Sequence, residues 1–266
     1  MIARSRLPKL RLKGSCVIHF RRGPVVIAIA IATAAALAAP ATANAQGVEG
    51  TRSVSVSLAT GIGLAGNVIE EAVGTIEGTP AVFVEQSYGN HYSDSMRLRF
   101  IGSYGLDYNK EAFVSFAYGR FNGTERITGS VGGYPLYTRF SNGDAFDLEG
   151  GLRYYFLPEG PTRTYAAGVI GLRFLQSTDV TVNVRELGLT FADVPYFEGS
   201  TLFILGGDAG ISRDLSDKFA IGAEIGLRFH GKPGAEQVFA DPNLAPVNDT
   251  GSRWSIPIGG FVTVRF

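Results

Sequence analysis

From Ser53 to the carboxy terminus the chain repeatedly alternates apolar and polar positions with a period of two, the pattern of strands with two unlike faces. In SVSVSLATGIGL, Val54, Val56, Leu58, Ile62 and Leu64 share one face, and Ser53, Ser55, Ser57, Ala59, Gly61 and Gly63 share the other. SMRLRFIGSY sets Met96, Leu98, Phe100 and Tyr104 against Ser95, Arg97, Arg99 and Ser103. EAFVSFAYG sets Val114, Phe116 and Tyr118 against Glu111, Ser115 and Gly119, with Phe113 interrupting the polar set. DAFDLEGGLRYYF alternates Phe146, Leu148, Leu152, Tyr154 and Phe156 with Asp147, Glu149, Gly151, Arg153 and Tyr155. Four later segments repeat the scheme: TYAAGVIGLRF with Arg173, TLFILGGDAGIS with Asp208, FAIGAEIGLRFH with Glu224 and Arg228, and WSIPIGGFVTVRF with Arg265 on the polar face.

The connections sort by length. Residues 64 to 94, 122 to 143, 176 to 199 and 231 to 252 form long links, while those near Asp107, Pro158 and Asp214 are short. Strict long and short alternation places every long link at one end of the sheet, which antiparallel up-and-down connectivity produces automatically. The pattern predicts an all-β fold: an eight-stranded antiparallel up-and-down barrel with segments long enough to cross a membrane. In that setting the long links are extracellular loops and the short ones periplasmic turns.

A soluble, lipocalin-like barrel also alternates, with its apolar face inward. The polar face separates the two. After the first 45 residues only Lys110, Lys218 and Lys232 remain as lysines, all at strand ends, turns or loops. The polar face instead carries Gly, Ser and Ala with Arg97, Arg99, Arg153, Arg173, Arg228 and Arg265 and the acids Glu111, Asp147, Glu149, Asp208 and Glu224. Small residues beside charges of both signs fit a narrow eight-stranded lumen, in which ions must pair. Aromatic residues gather near the ends of the apolar faces, as the two girdles of a membrane barrel require. Pairing of these eleven charges would plug the lumen.

The first 45 residues read differently. Seven basic residues and no acid lie within residues 1 to 23, an apolar run spans Pro24 to Ala39, and Ala43-Asn44-Ala45 is a small-x-small site. This predicts an export signal over residues 1–45, cleaved before Gln46, and a barrel domain over 46–266. The whole sequence is formally neutral, with 24 Lys+Arg and 24 Asp+Glu. Removing the signal leaves 17 basic residues against 24 acids; the four long links hold 13 acids and 4 bases. The expected outer surface is therefore acidic, and no basic footprint suggests nucleic acid. The single cysteine, Cys16, precedes the apolar run, so no disulfide framework is expected.

The last strand ends VTVRF, with Val264, Val262 and Ile258 on the face of a terminal Phe266. It resembles the terminal signal by which bacterial outer-membrane barrels are recognised for assembly. With GGLRYYF at 150 to 156 and the alternation of loops, the chain from about residue 50 onward resembles small outer-membrane barrels of the OmpA-transmembrane, OmpX and opacity-protein kind. The resemblance implies a bacterial outer-membrane location, contact with lipid and lipopolysaccharide, and engagement of the barrel-assembly machinery. It also implies loops able to bind a host or surface ligand. No periplasmic domain is expected after the eighth strand, so the resemblance does not imply peptidoglycan anchoring.

No catalytic, cofactor or metal constellation stands out. His91 and His230 lack ligand spacing, and Glu70, Glu71, Glu77, Glu85 and Asp94 lack the short alternation of a calcium loop. GIGLAG at 61 to 66 matches a dinucleotide fingerprint by letters but ends a strand. Lipid A-modifying barrels need a lipid-facing His, Ser and acid; Ser252 and Ser255 lie near His230, yet the parity of His230 points it inward. The reading is a non-enzymatic structural or surface-interaction protein. A narrow solute channel is the alternative, and lipid A chemistry comes after it. The aromatics of the long links, Tyr88, Tyr92, Tyr134, Tyr137, Phe191, Tyr196, Phe197 and Phe239, serve either partner contact or packing over the barrel mouth.

Overall fold

A computed structural model describes residues 48–156, 160–234, 239 and 241–266, with the side chains of 93–95 left aside. The export signal, its cleavage site and the turn around Pro158 lie outside the described residues. Eight long strands close into one barrel: β1 (Arg52–Ala65), β6 (Tyr92–Asp107), β7 (Lys110–Gly123), β10 (Gly143–Tyr155), β11 (Thr162–Leu175), β14 (Ser200–Asp214), β15 (Phe219–His230) and β16 (Arg253–Arg265). Each pairs antiparallel with its neighbour in this series. β1 meets β16 through a register that includes Val54↔Val264 and Val56↔Val262. The Phe266 N–H reaches the Arg52 carbonyl at 2.9 Å, so the last residue helps hold the seam shut.

The barrel is turned inside out relative to a soluble one. Val114, Leu152 and Ile170 on its outer wall are 60%, 61% and 56% exposed, whereas Arg99, Glu149 and Arg228 inside are 3%, 1% and 1% exposed. A lipocalin-like barrel needs the reverse. The exposed belt ends in aromatics: Tyr104, Tyr154 and Phe156 toward the short turns, Phe174, Phe203 and Trp254 toward the long links. Every barrel strand has at least 12 residues, above the 9 to 11 needed to cross the hydrocarbon core at a tilt. Among the described residues no helix is long and apolar enough to span.

Lumen glycines make room for large neighbours. A Cβ at Gly222 would collide with the Phe261 ring, and one at Gly210 with the Tyr165 ring. At the short-turn end the backbone of Val48 presses against Gly105, where a Cβ would strike the Val48 carbonyl. Val48 packs there with Tyr155, Tyr165 and Phe261, so the segment leading into β1 lies across that mouth.

The long links are not open loops. They carry eight further strands: β2 (Asn67–Ile69), β3 (Ala72–Ile76), β4 (Thr79–Phe83), β5 (Gln86–Ser87), β8 (Arg126–Val131), β9 (Tyr134–Phe140), β12 (Thr178–Val184) and β13 (Leu189–Phe197). Six of these form one antiparallel sheet in the order β13-β12-β9-β8-β4-β3, and β2 pairs with β5. Two hairpins turn on positive-φ pairs, Glu77-Gly78 (51° and 78°) and Gly132-Gly133 (59° and 83°), the backbone that a tight right-twisted hairpin demands. The fourth link adds a 3-10 segment, Pro242–Asn248, whose Leu244 and Val247 join the cluster beneath. That cluster, around Phe83, Leu136, Phe140, Tyr196 and Phe197, is the largest apolar core among the described residues and lies entirely outside the barrel. Tyr196 knots it: its hydroxyl lies 2.8 Å from the Val68 carbonyl and 2.9 Å from that of Val247, joining three links.

Leu148 faces outward midway along β10, beside Phe116 and Leu172 on the flanking strands. Leu148→Arg is expected to destabilise the barrel by about 2–4 kcal/mol, the range for a cation at the bilayer midplane. Urea unfolding in lipid vesicles measures it, and an unchanged midpoint would place this face out of lipid.

Candidate functional site

The lumen charges arrive from seven strands because alternation delivers every second side chain inward. Glu149 of β10 is their hub. Its Oε1 lies 2.7 Å from Arg97 and 3.2 Å from Arg228, and its Oε2 lies 3.2 Å from Arg99. Asp147, two residues earlier, takes both the Nε and an Nη of Arg173 at 2.6 and 2.8 Å, and Arg97 at 2.8 Å. Asp208 receives two parallel hydrogen bonds from Arg228, at 2.7 and 2.9 Å. Glu224 completes this upper tier, 3.2 Å from Arg99 and 3.0 Å from the Tyr165 hydroxyl.

A lower tier sits toward the short turns. Arg153 pairs with Glu111, and its guanidinium lies 4.4 Å from the centre of the Tyr165 ring. Asp214 takes Arg163 at 2.8 Å and Arg265 at 2.5 Å. Phe113, the apolar residue that interrupts its polar face, joins the tiers: Arg99 lies 5.6 Å from its ring centre and Arg153 5.3 Å. All eleven charges that the sequence places on the polar face thus lie in one of two connected tiers. Arg163 and Asp214 escaped the reading because they sit beside turns. Extending the alternation of β11 and β14 past Thr164 and Ser212 finds both, since they share the parity of Arg173 and Asp208.

Space within the lumen is broken up. A cavity of about 80 Å³ lies on the loop side of the upper tier, one of about 10 Å³ lies among its charges, and one of about 20 Å³ surrounds the lower tier. A larger cleft, about 190 Å³, lies in the outer module between its two sheet edges, β3 and β13. Ile76, Val182, Phe191 and Val194 line it, with Glu77 and Asp241 beside them.

Neither of the two described histidines meets lipid. His230 is 1% exposed inside the barrel, with Nε2 3.0 Å from the Ser255 hydroxyl, and among the described residues no carboxylate orients the pair. His91 is fully buried in the outer module, edge-on to Phe140 at 5.1 Å. No group of three His, Cys, Asp or Glu able to hold a metal occurs among the described residues. Of the loop aromatics, Tyr88, Tyr196 and Phe197 are buried in packing, whereas Tyr134 is 45% exposed. On the last strand Ile258 and Val262 point outward, Val264 is half-buried, and Phe266 is 78% exposed.

Two outcomes test this geometry. Glu149→Ala removes the carboxylate that three buried guanidinium groups share, leaving the upper tier one negative charge short, and is expected to destabilise the barrel by about 3–5 kcal/mol; unfolding in vesicles reads the loss, and a neutral result would mean the hub holds nothing. The second concerns His91, whose imidazolium burial and the neighbouring Arg126 disfavour, lowering its pKa from 6.5 to about 4. In the unfolded module the same group takes its proton first. Stability contributed here is therefore complete above pH 6.5 and declines as pH falls toward 4, by roughly 3 kcal/mol at the limit. Hydrogen exchange of the outer module should quicken over that window, and His91→Phe should flatten the response.

No protein-family model matches the chain, and no curated protein sequence matches it. Solved structures do. Neisserial surface protein A aligns over 82% of this chain and 100% of its own, at 15% identity and a TM-score of 0.44. The outer membrane protein OprG from Pseudomonas aeruginosa aligns over 83% and 98%, at 12% identity and 0.44. Ail, the attachment invasion locus protein of Yersinia pestis, aligns over 82% and 99%, at 13% identity and 0.38. In fold, the chain is similar to these small eight-stranded outer-membrane barrels.

Proposed function

We propose that this is a surface-interaction protein of the bacterial outer membrane, in which a plugged barrel holds a folded loop module toward the exterior for a partner to bind. The observation that carries the reading is the outer module. Loops that only linked strands would have no need of the largest apolar core in the described structure, nor of a six-stranded sheet with an apolar cleft between its edges. Binding surfaces on a rigid scaffold take this form. The surplus of acids in the same links, 13 against 4 bases, selects a partner with basic and apolar groups, since complementary charge steers encounter.

In this reading the two ion-pair tiers close the lumen to solutes, the outer apolar belt meets lipid, and the aromatic and acidic rim meets lipopolysaccharide. The leader directs export. Phe266, with Val264, Val262 and Ile258, presents the barrel to the assembly machinery.

The test uses the intact protein in lipid nanodiscs, offered in turn a cationic and a sulfated polyanionic matrix polymer. Preference for the cationic surface, weakened by salt and reduced by Phe191→Asp or Val194→Asp in the cleft, is the expected result. Equal or stronger binding to the polyanion would sink the proposal. In planar bilayers no steady conductance of porin size is expected; one would overturn the plugged lumen.

A further inference from the structure

We propose that the loop-side half of the lumen is a binding site for a small oxyanion, a phosphate or a short-chain carboxylate. The cavity above the upper tier is bordered by Arg97, Arg173, Arg228 and Arg253 and by His230, and no Asp or Glu is among its lining residues. The acids that balance three of these arginines, Asp147, Glu149 and Asp208, approach them from outside the cavity. Positive charge is thereby presented to one side and its compensation to the other.

The tally on this side of the lumen leaves one cation over, since the four arginines of the upper tier match its four acids and Arg253 stands beside them. Arg97, Arg99, Arg173, Arg228 and Arg253 face Asp147, Glu149, Asp208 and Glu224, and among these five only Arg253 has no carboxylate within 4.0 Å among the described residues. The Tyr88 ring lies 5.3 Å from its guanidinium carbon. Its Nε has no hydrogen-bond partner. Across the ladder from Arg253 stands His230, 99% buried, with Nε2 held by Ser255 and Nδ1 unpartnered. Buried donors left without acceptors are costly, and here two of them, the Nε groups of Arg97 and Arg253, belong to residues that border one cavity beside two further guanidinium groups; His230 Nδ1 is a third in the tautomer in which Nε2 accepts from Ser255. An oxyanion supplies the missing acceptors and the missing charge together, and charge-assisted hydrogen bonds to arginine are among the strongest that a protein makes.

Size sets the class. About 80 Å³, where a single water takes roughly 10–15 Å³ of such space, is room for a small ion such as phosphate or propionate. The turn at Tyr88 and Gly89 borders the space on its loop side, so the ligand would sit between the charge plug and the outer module.

The experiment titrates inorganic phosphate, propionate and uncharged propionamide separately into the intact protein in nanodiscs. Calorimetry and the fluorescence of Trp254, the chain's sole tryptophan and a border residue of the cavity, read binding. Saturable binding of phosphate, of propionate or of both, without propionamide, is expected, and which ion binds identifies an inorganic or an organic source. Arg253→Gln, which removes the surplus charge and breaks no carboxylate pair, is expected to weaken binding about tenfold or more. Arg120→Gln, on the outer wall, should not change it. Retained unheated gel mobility shows that each variant is folded. Absence of saturable binding by either ion, equal binding of propionamide, or full affinity in folded Arg253→Gln would each overturn the site.

Discussion

The structure depends on one carboxylate that meets three guanidinium groups. A barrel in lipid cannot place its charges outside, and an eight-stranded one has no room to hydrate them inside. The charges of the two tiers therefore find their counter-ions within the protein. Glu149 does this for Arg97, Arg99 and Arg228 at once, while Asp147 and Asp208 take the outer faces of the same cluster. The strands β6, β10, β11, β14 and β15 are tied together by these contacts across the lumen, in addition to the ladder hydrogen bonds along the wall. Glycine on the inner face is the steric counterpart of this arrangement. Gly226, for instance, leaves the space that Asp208 and Arg228 occupy, since a Cβ there would collide with the Asp208 carboxylate.

The chain separates two kinds of cohesion by place. Inside the membrane-crossing part, charge pairing fills the lumen and apolar groups face outward. Beyond it, the order returns to that of a water-soluble domain, with apolar residues inside and acids outside. Tyr196 and Phe140 belong to this second regime, each surrounded by residues from several links. One protein thus contains two opposite solutions to burial, joined where β6, β7, β10 and their neighbours leave the aromatic belt.

The barrel was legible because a period of two survives in all eight segments and because lysine is absent from their inner faces. Even the interrupting Phe113 carries its reason in the fold, as the apolar spacer between two arginines. Strand ends were less legible: Arg163 and Asp214 keep the parity of their strands but lie where alternation runs into turns. The outer sheet was missed altogether, although two signals for it stand in the sequence. Gly132-Gly133 sits between alternating segments, and Glu77-Gly78 does the same. Length masked them, since a link of 20 to 30 residues between membrane strands invites reading as loop, and the pairing partners lie in other links. Non-local pairing such as β12 with β9, or β4 with β8, leaves no trace in any one segment.

That cross-pairing has an immunological consequence. In the sheet order β13-β12-β9-β8-β4-β3, strands from three separate links lie side by side, so the face shown to the outside is composed of residues far apart in the chain. Antibodies against it would recognise a discontinuous epitope. A peptide copied from one link would lack its neighbours, and immunisation with such peptides would raise sera that bind the denatured chain and overlook the native surface.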